Sequence, residues 1–325
     1  MQLPSFPRGL PRRSLLAWIA SAPWLAHAAS DEKPMQIIVP FGPGGSGDIS
    51  ARMLAEAITR RTGRPAAVDN RPGANGIIGV EAARKGTADG SVLLLATTST
   101  HLANPSLFRK LPYNPSEDFR LVGSFGSAST YLLVRPDSPY RTLGDLIQFA
   151  RQNPGKINYG YFNATSNVSA AFFAKAADIS VTAVPYKQVG QAMTELIAGQ
   201  IQMVFTDTAQ GDSLVSSGRL KPLAVHGVQR LKSYPQIPLI TETLPGFDMG
   251  GGLLGVAVPS ATPLTIQQRL NDLINDAVTT DPIKSRLEGF GFFPSRVSLA
   301  ELAAYERKEQ ANWRKYVEIA NLEVQ

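Results

Sequence analysis

The chain has 325 residues, 43% hydrophobic and 18% charged, which is ordinary globular composition and enough for two domains. It has no cysteine, which excludes disulfides and thiolate sites, and only three scattered histidines, His27, His101 and His226, which argues against a histidine metal cluster. The formal charge of +6 is spread without a basic run, which argues against nucleic-acid binding.

The first predicted element is a signal peptide over 1–28. Arg8, Arg12 and Arg13 form a basic start, "LLAWIASAPWLA" is an apolar core too short for a membrane span, and "AHA" is an A-x-A cleavage site. Cleavage is expected after Ala28. "PRRSLL" is a partial twin-arginine motif, so the general secretory and twin-arginine routes both stay open. Removing 1–28 takes away three arginines and no acid, lowering the formal charge to +3. No later stretch reads as a membrane span, so a soluble periplasmic protein is expected.

The mature chain alternates β-branched runs with amphipathic helices. "MQIIVPF" reads as a strand. Ile49, Met53, Leu54, Ala57 and Ile58 form one helical face ending at Gly63. "PAAVD" is a second strand, "GIIGVEAARKG" a short helix, and "SVLLLATT" a strand apolar enough to be buried on both faces. This β-α-β-α-β order implies a parallel sheet covered by helices. "FRLVGSFGSASTYLLVRPDS" then reads as a crossover of two β-like runs joined by small residues.

A second α/β series follows. Thr142 and Asp145 form a capping box. Next come strand "INYGY", helix "SAAFFAKAA", strand "VTAVPY", helix "GQAMTELIAG", strand "IQMVFTD", a short helix to Gly218 and strand "LKPLAVH". "GGGLLGVAVPS" reads as the return to the first domain. Pro263 is expected at the first position of the next helix, and Ser298 with Glu301 caps a long C-terminal helix. The expected architecture is α/β and two-lobed. Domain 1 comprises 29–128 and 250–325, domain 2 comprises 129–249, and the ligand cleft lies between them, beyond the strand ends.

"FGPGGSGD" places Gly42, Gly44 and Gly47 in a G-x-G-x-x-G pattern at the start of a helix, with Asp69 after the next strand. This matches a dinucleotide fingerprint literally. It also matches an anion-binding loop, in which the amides of Gly44–Asp48 at a helix N-terminus face the ligand. A third reading is a tight turn with no ligand. Export favours the anion loop, since dinucleotides are scarce outside the cytoplasm; no cofactor and no metal are expected.

"VPFGPGGSGDISARMLAEAI", "VDNRPGANGIIG", "VPYKQVGQAMTELIAGQIQMVFTD", "GRLKPLAV", "LPGF" and "RLN" together resemble the Bug (TctC-like) family. These are periplasmic solute-binding proteins of tripartite tricarboxylate transporters. The resemblance covers essentially the whole mature chain. It implies a type II periplasmic-binding-protein fold, capture of a small carboxylate and delivery to membrane transporter subunits. It further implies that the loop matching Phe41–Asp48 and a second-domain loop hold the carboxylate through backbone amides and bridging water. That second-domain loop is usually rich in glycine and serine and followed by His-Leu; here it reads "YGYFNATSNVSAAFF". Tyr161 and Phe162 would form an aromatic wall suited to a flat, ring-bearing carboxylate.

The candidate ligand-binding residues are therefore Phe41, Gly44, Gly45, Ser46 and Asp48 on the first loop, and Thr97, Thr98 and Ser99 after the buried strand. Phe162, Asn163, Thr165, Ser166, Asn167 and Asp207 are the candidates from the second domain. Asp48 reads as a loop organiser before a ligand contact, because a carboxylate repels an anion. Lys187 reads equally as a carboxylate partner or a solvated cation. The chain reads as a non-enzymatic monomer. A hydrolase on the same lobes would need a nucleophile beside His101, and no G-x-S-x-G elbow is present. A sensor that reports ligand to a membrane kinase has the same sequence signature as a transport receptor.

Overall fold

The structure is a computed structural model that describes residues 33–250 and 252–324; the predicted signal peptide lies outside the described residues. The first lobe runs β1 (Met35–Val39), α1 (Ser46–Thr62), β2 (Ala66–Asn70), α2 (Ile77–Arg84) and β3 (Val92–Thr97). A π-helical turn, Thr98–Ala103, leads into α3 (Asn104–Leu107), then α4 (Pro115–Asp118) and β4 (Phe119–Ser124). The second lobe runs β5 (Thr130–Val134), α5 (Leu143–Gln152), β6 (Ile157–Tyr161), α6 (Ala164–Ala176), β7 (Val181–Pro185) and α7 (Val189–Ala198). It continues through β8 (Met203–Asp207), α8 (Thr208–Ser216), β9 (Lys221–His226) and α9 (Ile240–Thr243). The chain returns through β10 (Leu254–Pro259), α10 (Leu264–Val278), α11 (Ile283–Gly289) and α12 (Leu299–Ile319).

The strands form two five-stranded sheets, β2-β1-β3-β10-β4 and β7-β6-β8-β5-β9. β1 pairs in parallel with β2 and β3, and β6 with β7 and β8. The fourth strand of each sheet, β10 or β5, is antiparallel to both neighbours. In each case it is the strand that arrives from the other lobe. A chain entering from across the cleft runs opposite to strands whose C-terminal ends face that cleft.

The local signals read above act where expected. Leu93, Leu94, Leu95 and Ala96 are wholly buried in β3, as a strand covered on both faces requires. Gly63 ends α1 in the left-handed region at φ 71°. The Thr142–Asp145 and Ser298–Glu301 capping boxes are both formed. Two boundaries differ. Pro263 is the N-cap of α10, not its first helical residue, with an extended ψ of 142°. Helix α6 begins at Ala164 because Asn163 and Ser166 cap it reciprocally, so part of the supposed polar loop is the first turn of a helix.

Helix α12 joins the two lobes. Leu302, Trp313, Tyr316 and Val317 share one apolar cluster with Leu94 and Leu121 of the first lobe and with Phe172, Phe173 and Phe205 of the second. Tyr316 meets Phe172 edge-on at 5.3 Å, and Phe172 packs on Phe247 at 5.6 Å. Among the described residues, no helix is long and apolar enough to cross a membrane.

Candidate ligand cleft

A cavity of about 790 Å³ lies between the lobes. Its walls are the loops at the C-terminal ends of the strands: Phe41–Asp48 after β1, Pro72–Gly76 after β2 and Thr97–Ser99 after β3. The second lobe contributes Phe162, Asn163 and Thr165, then Tyr186–Gly190, Asp207 and Gln210. The crossing segments add Ala128, Thr130, Met249 and Gly250, and α12 adds Trp313.

The glycine loop is shaped by three constraints. Gly44 has φ +82°, a conformation that side chains disfavour. Gly45 is the N-cap of α1 and, lacking a side chain, leaves the first amides of that helix without a side-chain cap. Gly47 lets α1 rest on β3, since a Cβ there would lie 2.6 Å from Leu95 Cδ2. Asp48 braces the loop. It accepts from the Gly44 amide at 3.0 Å and pairs with Arg52 at 2.9 Å. Burial raises the Asp48 pKa, but bonds from Arg52, Gly44 and Asn70 outweigh this and hold it below the usual carboxylate value. Asn70 also donates to the Phe41 carbonyl at 3.1 Å, tying the loop to β2. Asp48 lines the cavity, but its carboxylate is already engaged as the loop organiser.

The remaining candidates separate into two groups. Phe41, Gly44, Gly45, Ser46, Thr97, Thr98, Ser99, Phe162, Asn163, Thr165 and Asp207 all line the cavity. Ser166 and Asn167 do not. The Ser166 hydroxyl accepts from the Phe162 amide at 3.1 Å, and Asn167 accepts from the Tyr159 hydroxyl at 2.8 Å. Both sit in the first turn of α6. Tyr161 lines a separate small groove with Leu107 and Leu322, so Phe162 alone of that pair faces the cavity. Period-two alternation along β6 separates the two.

The lobes touch directly across the cleft. Ser46 donates to Asp207 at 2.6 Å, and the Ser99 and Thr165 hydroxyls lie 2.8 Å apart. The Thr165 amide also donates to Ser99 at 3.2 Å. Burial raises the Asp207 pKa, opposed in part by the Ser46 bond. His101 is buried inside the first lobe against Thr100 and Phe119, with its pKa lowered by burial to about 3. Asp69 accepts from Gln36 at 2.8 Å and Arg71 at 2.7 Å on β2, so the acid of the fingerprint pattern is tied outside the cavity.

Sequence reading did not single out Gln188, Gln210, His226 or Trp313 as cavity residues. Gln188 and Gln210 follow strand ends and could have been found by that rule. Trp313 carries no local signal, because α12 reaches the cleft only through tertiary packing. His226 donates from Nε2 to the Met249 carbonyl at 3.0 Å, fastening β9 to the return crossing.

Two α/β lobes joined by two crossings, with strand-end loops enclosing a cavity, define a two-lobed solute-binding protein. The chain belongs to the TctC family, described as the tripartite tricarboxylate transporter family receptor, whose family model matches residues 50–322. The glycine loop lies just before the matched span. The chain is 29% identical to Protein BugT of Bordetella pertussis over 303 residues, covering 91% of this chain and 93% of BugT. Among solved structures, R. palustris Rpa4515 with adipate superposes with a TM-score of 0.86 at 27% identity, covering 90% of this chain and 99% of that one. MatC from Rhodopseudomonas palustris with bound malate superposes with a TM-score of 0.81 at 25% identity, covering 88% and 99%.

Proposed function

We propose that this chain is a periplasmic receptor that captures a small carboxylate between its lobes and delivers it to the membrane subunits of a tripartite tricarboxylate-type transporter. The observation that carries this reading is the N-terminus of α1, which opens into the cavity with no capping side chain. Its amides and the helix dipole favour an anion there without any cationic partner. The relatives solved with adipate and malate support a carboxylate as that anion. Phe162, Phe41 and Tyr186 give the cavity aromatic walls, which favour a flat, apolar body on the ligand. The lobes act as domains 29–128 with 250–325 and 129–249, in a monomer exported after cleavage at Ala28.

A thermal-shift screen of aliphatic and aromatic mono- and dicarboxylates on the mature protein tests this. A ligand at a hundred times its dissociation constant adds about 2.7 kcal/mol of stability. A benzene carboxylate is expected to outperform an aliphatic dicarboxylate of similar length, and Phe162→Ala to erase that preference. A wild-type preference for the aliphatic acid would remove the aromatic claim. A panel with no stabilising carboxylate would remove the functional reading.

A further inference from the structure

Several polar groups that the second lobe presents to the cavity already have partners. Asn163 accepts from the Ser166 amide at 2.8 Å, Thr165 is bonded to Ser99, Asp207 accepts from Ser46, and His226 donates to Met249. Gln210, in the first turn of α8, is arranged differently. Its Oε1 accepts from the Thr206 hydroxyl at 3.0 Å, and Thr206 is buried in β8. This bond turns Nε2 toward the first lobe, to within 3.1 Å of the place a Cβ on Gly45 would occupy. That puts a side-chain donor beside Gly45, the N-cap of α1, whose first amides have no side-chain cap. Two sets of donors on the same cavity wall suit a single acceptor that can bond to both.

We infer that Gln210 is a specificity-determining residue whose Nε2 donates to the ligand oxygen held by the α1 amides, so that both lobes read one carboxylate. Thr206 is the positioning residue that fixes which end of the amide points inward. Neutral donors then do the work that a lysine or arginine would do elsewhere. Gly45 is required because a side chain there would press on Gln210 Nε2. The inference rests on the carboxylate-receptor reading above.

The test uses the mature protein and the carboxylate giving the largest melting shift in the screen. Gln210→Leu should lower affinity about ten- to a hundredfold, the range for a hydrogen bond to a charged group, and should lower the ligand-free melting temperature no more than Thr206→Val does, since both lose the same Thr206–Gln210 bond. Gln210→Glu should abolish binding and raise the ligand-free melting temperature, because its own carboxylate would occupy the α1 end. Thr206→Val should lose part of the affinity, and Thr206→Ser should keep it. Affinity of Gln210→Leu within about twofold of wild type would overturn the inference while leaving the receptor reading intact. So would a Gln210→Leu protein whose ligand-free melting falls well below that of Thr206→Val, since Gln210 would then be a strut between lobes. A wild-type protein that binds no carboxylate would overturn both.

Discussion

Glu306 shows how one buried side chain sets a pH dependence. It lies on α12 with Oε1 unpaired, and burial pushes its pKa from 4.5 up to about 7, the charges of Arg120 and Arg307 only partly opposing this. A carboxyl raised in the folded state holds its proton better folded than unfolded. Its contribution to stability is complete below pH 4.5 and is lost as pH rises through about 7. Glu306→Gln should therefore melt like wild type at pH 4.5 and higher than wild type at pH 8, by at most about 3 kcal/mol. Parallel melting curves at the two pH values check this; an equal shift at both would assign the effect to packing. His101 works in the opposite direction. Its burial-lowered pKa makes its contribution complete above 6.5 and lost as pH falls toward 3.

The decisive element is the β1–α1 junction, where neighbouring glycines do different work. Gly47→Val should destabilise the fold by about 1–3 kcal/mol, since its Cβ would meet Leu95 and push α1 off β3. Gly45→Val should leave the fold intact and abolish carboxylate binding, because the new side chain fills the space beside Gln210. Lys187→Met should change affinity little, since Lys187 is an exposed cavity residue. Calorimetry and denaturant melts on the three variants separate these outcomes. If Lys187→Met removed binding while Gly45→Val preserved it, the ligand would be held by a salt bridge and not by amides.

At the scale of the whole molecule, closure is shared between two sets of contacts. Across the cleft stand the Ser46–Asp207 and Ser99–Thr165 bonds. At the back, α12 grips the return crossing, with the Tyr316 hydroxyl accepting from the Gly250 amide at 2.7 Å and the Tyr305 hydroxyl donating to the Gly252 carbonyl at 3.0 Å. Each front bond contributes about 1 kcal/mol net, enough to bias closure and small enough for ligand exchange. Small-angle scattering should show a larger ligand-free radius of gyration for Ser46→Ala with Thr165→Val than for wild type, and a decrease in both on adding ligand. An unchanged radius in the double variant would assign closure to the α12 brace alone.

Local sequence was sufficient for whatever depends on near neighbours along the chain. The all-apolar Leu93–Ala96 run read as a strand covered on both faces, and the small residues between β4 and β5 marked a crossing. The glycines after β1 marked a helix start that opens into the cavity, because backbone conformation and helix-end amides are local properties. Tertiary structure decided which polar groups remain free. Asn163, Ser166 and Asn167 looked available as loop residues, yet capping of α6 and the Tyr159 hydroxyl engage them. Gln210 was not singled out among its loop's residues, yet Thr206 turns its amide into the cleft. Trp313 reaches the cavity from a helix more than a hundred residues beyond that loop. Hydrogen-bond partners and cavity walls are assigned by residues far apart in the chain, so these roles appear only when the lobes pack.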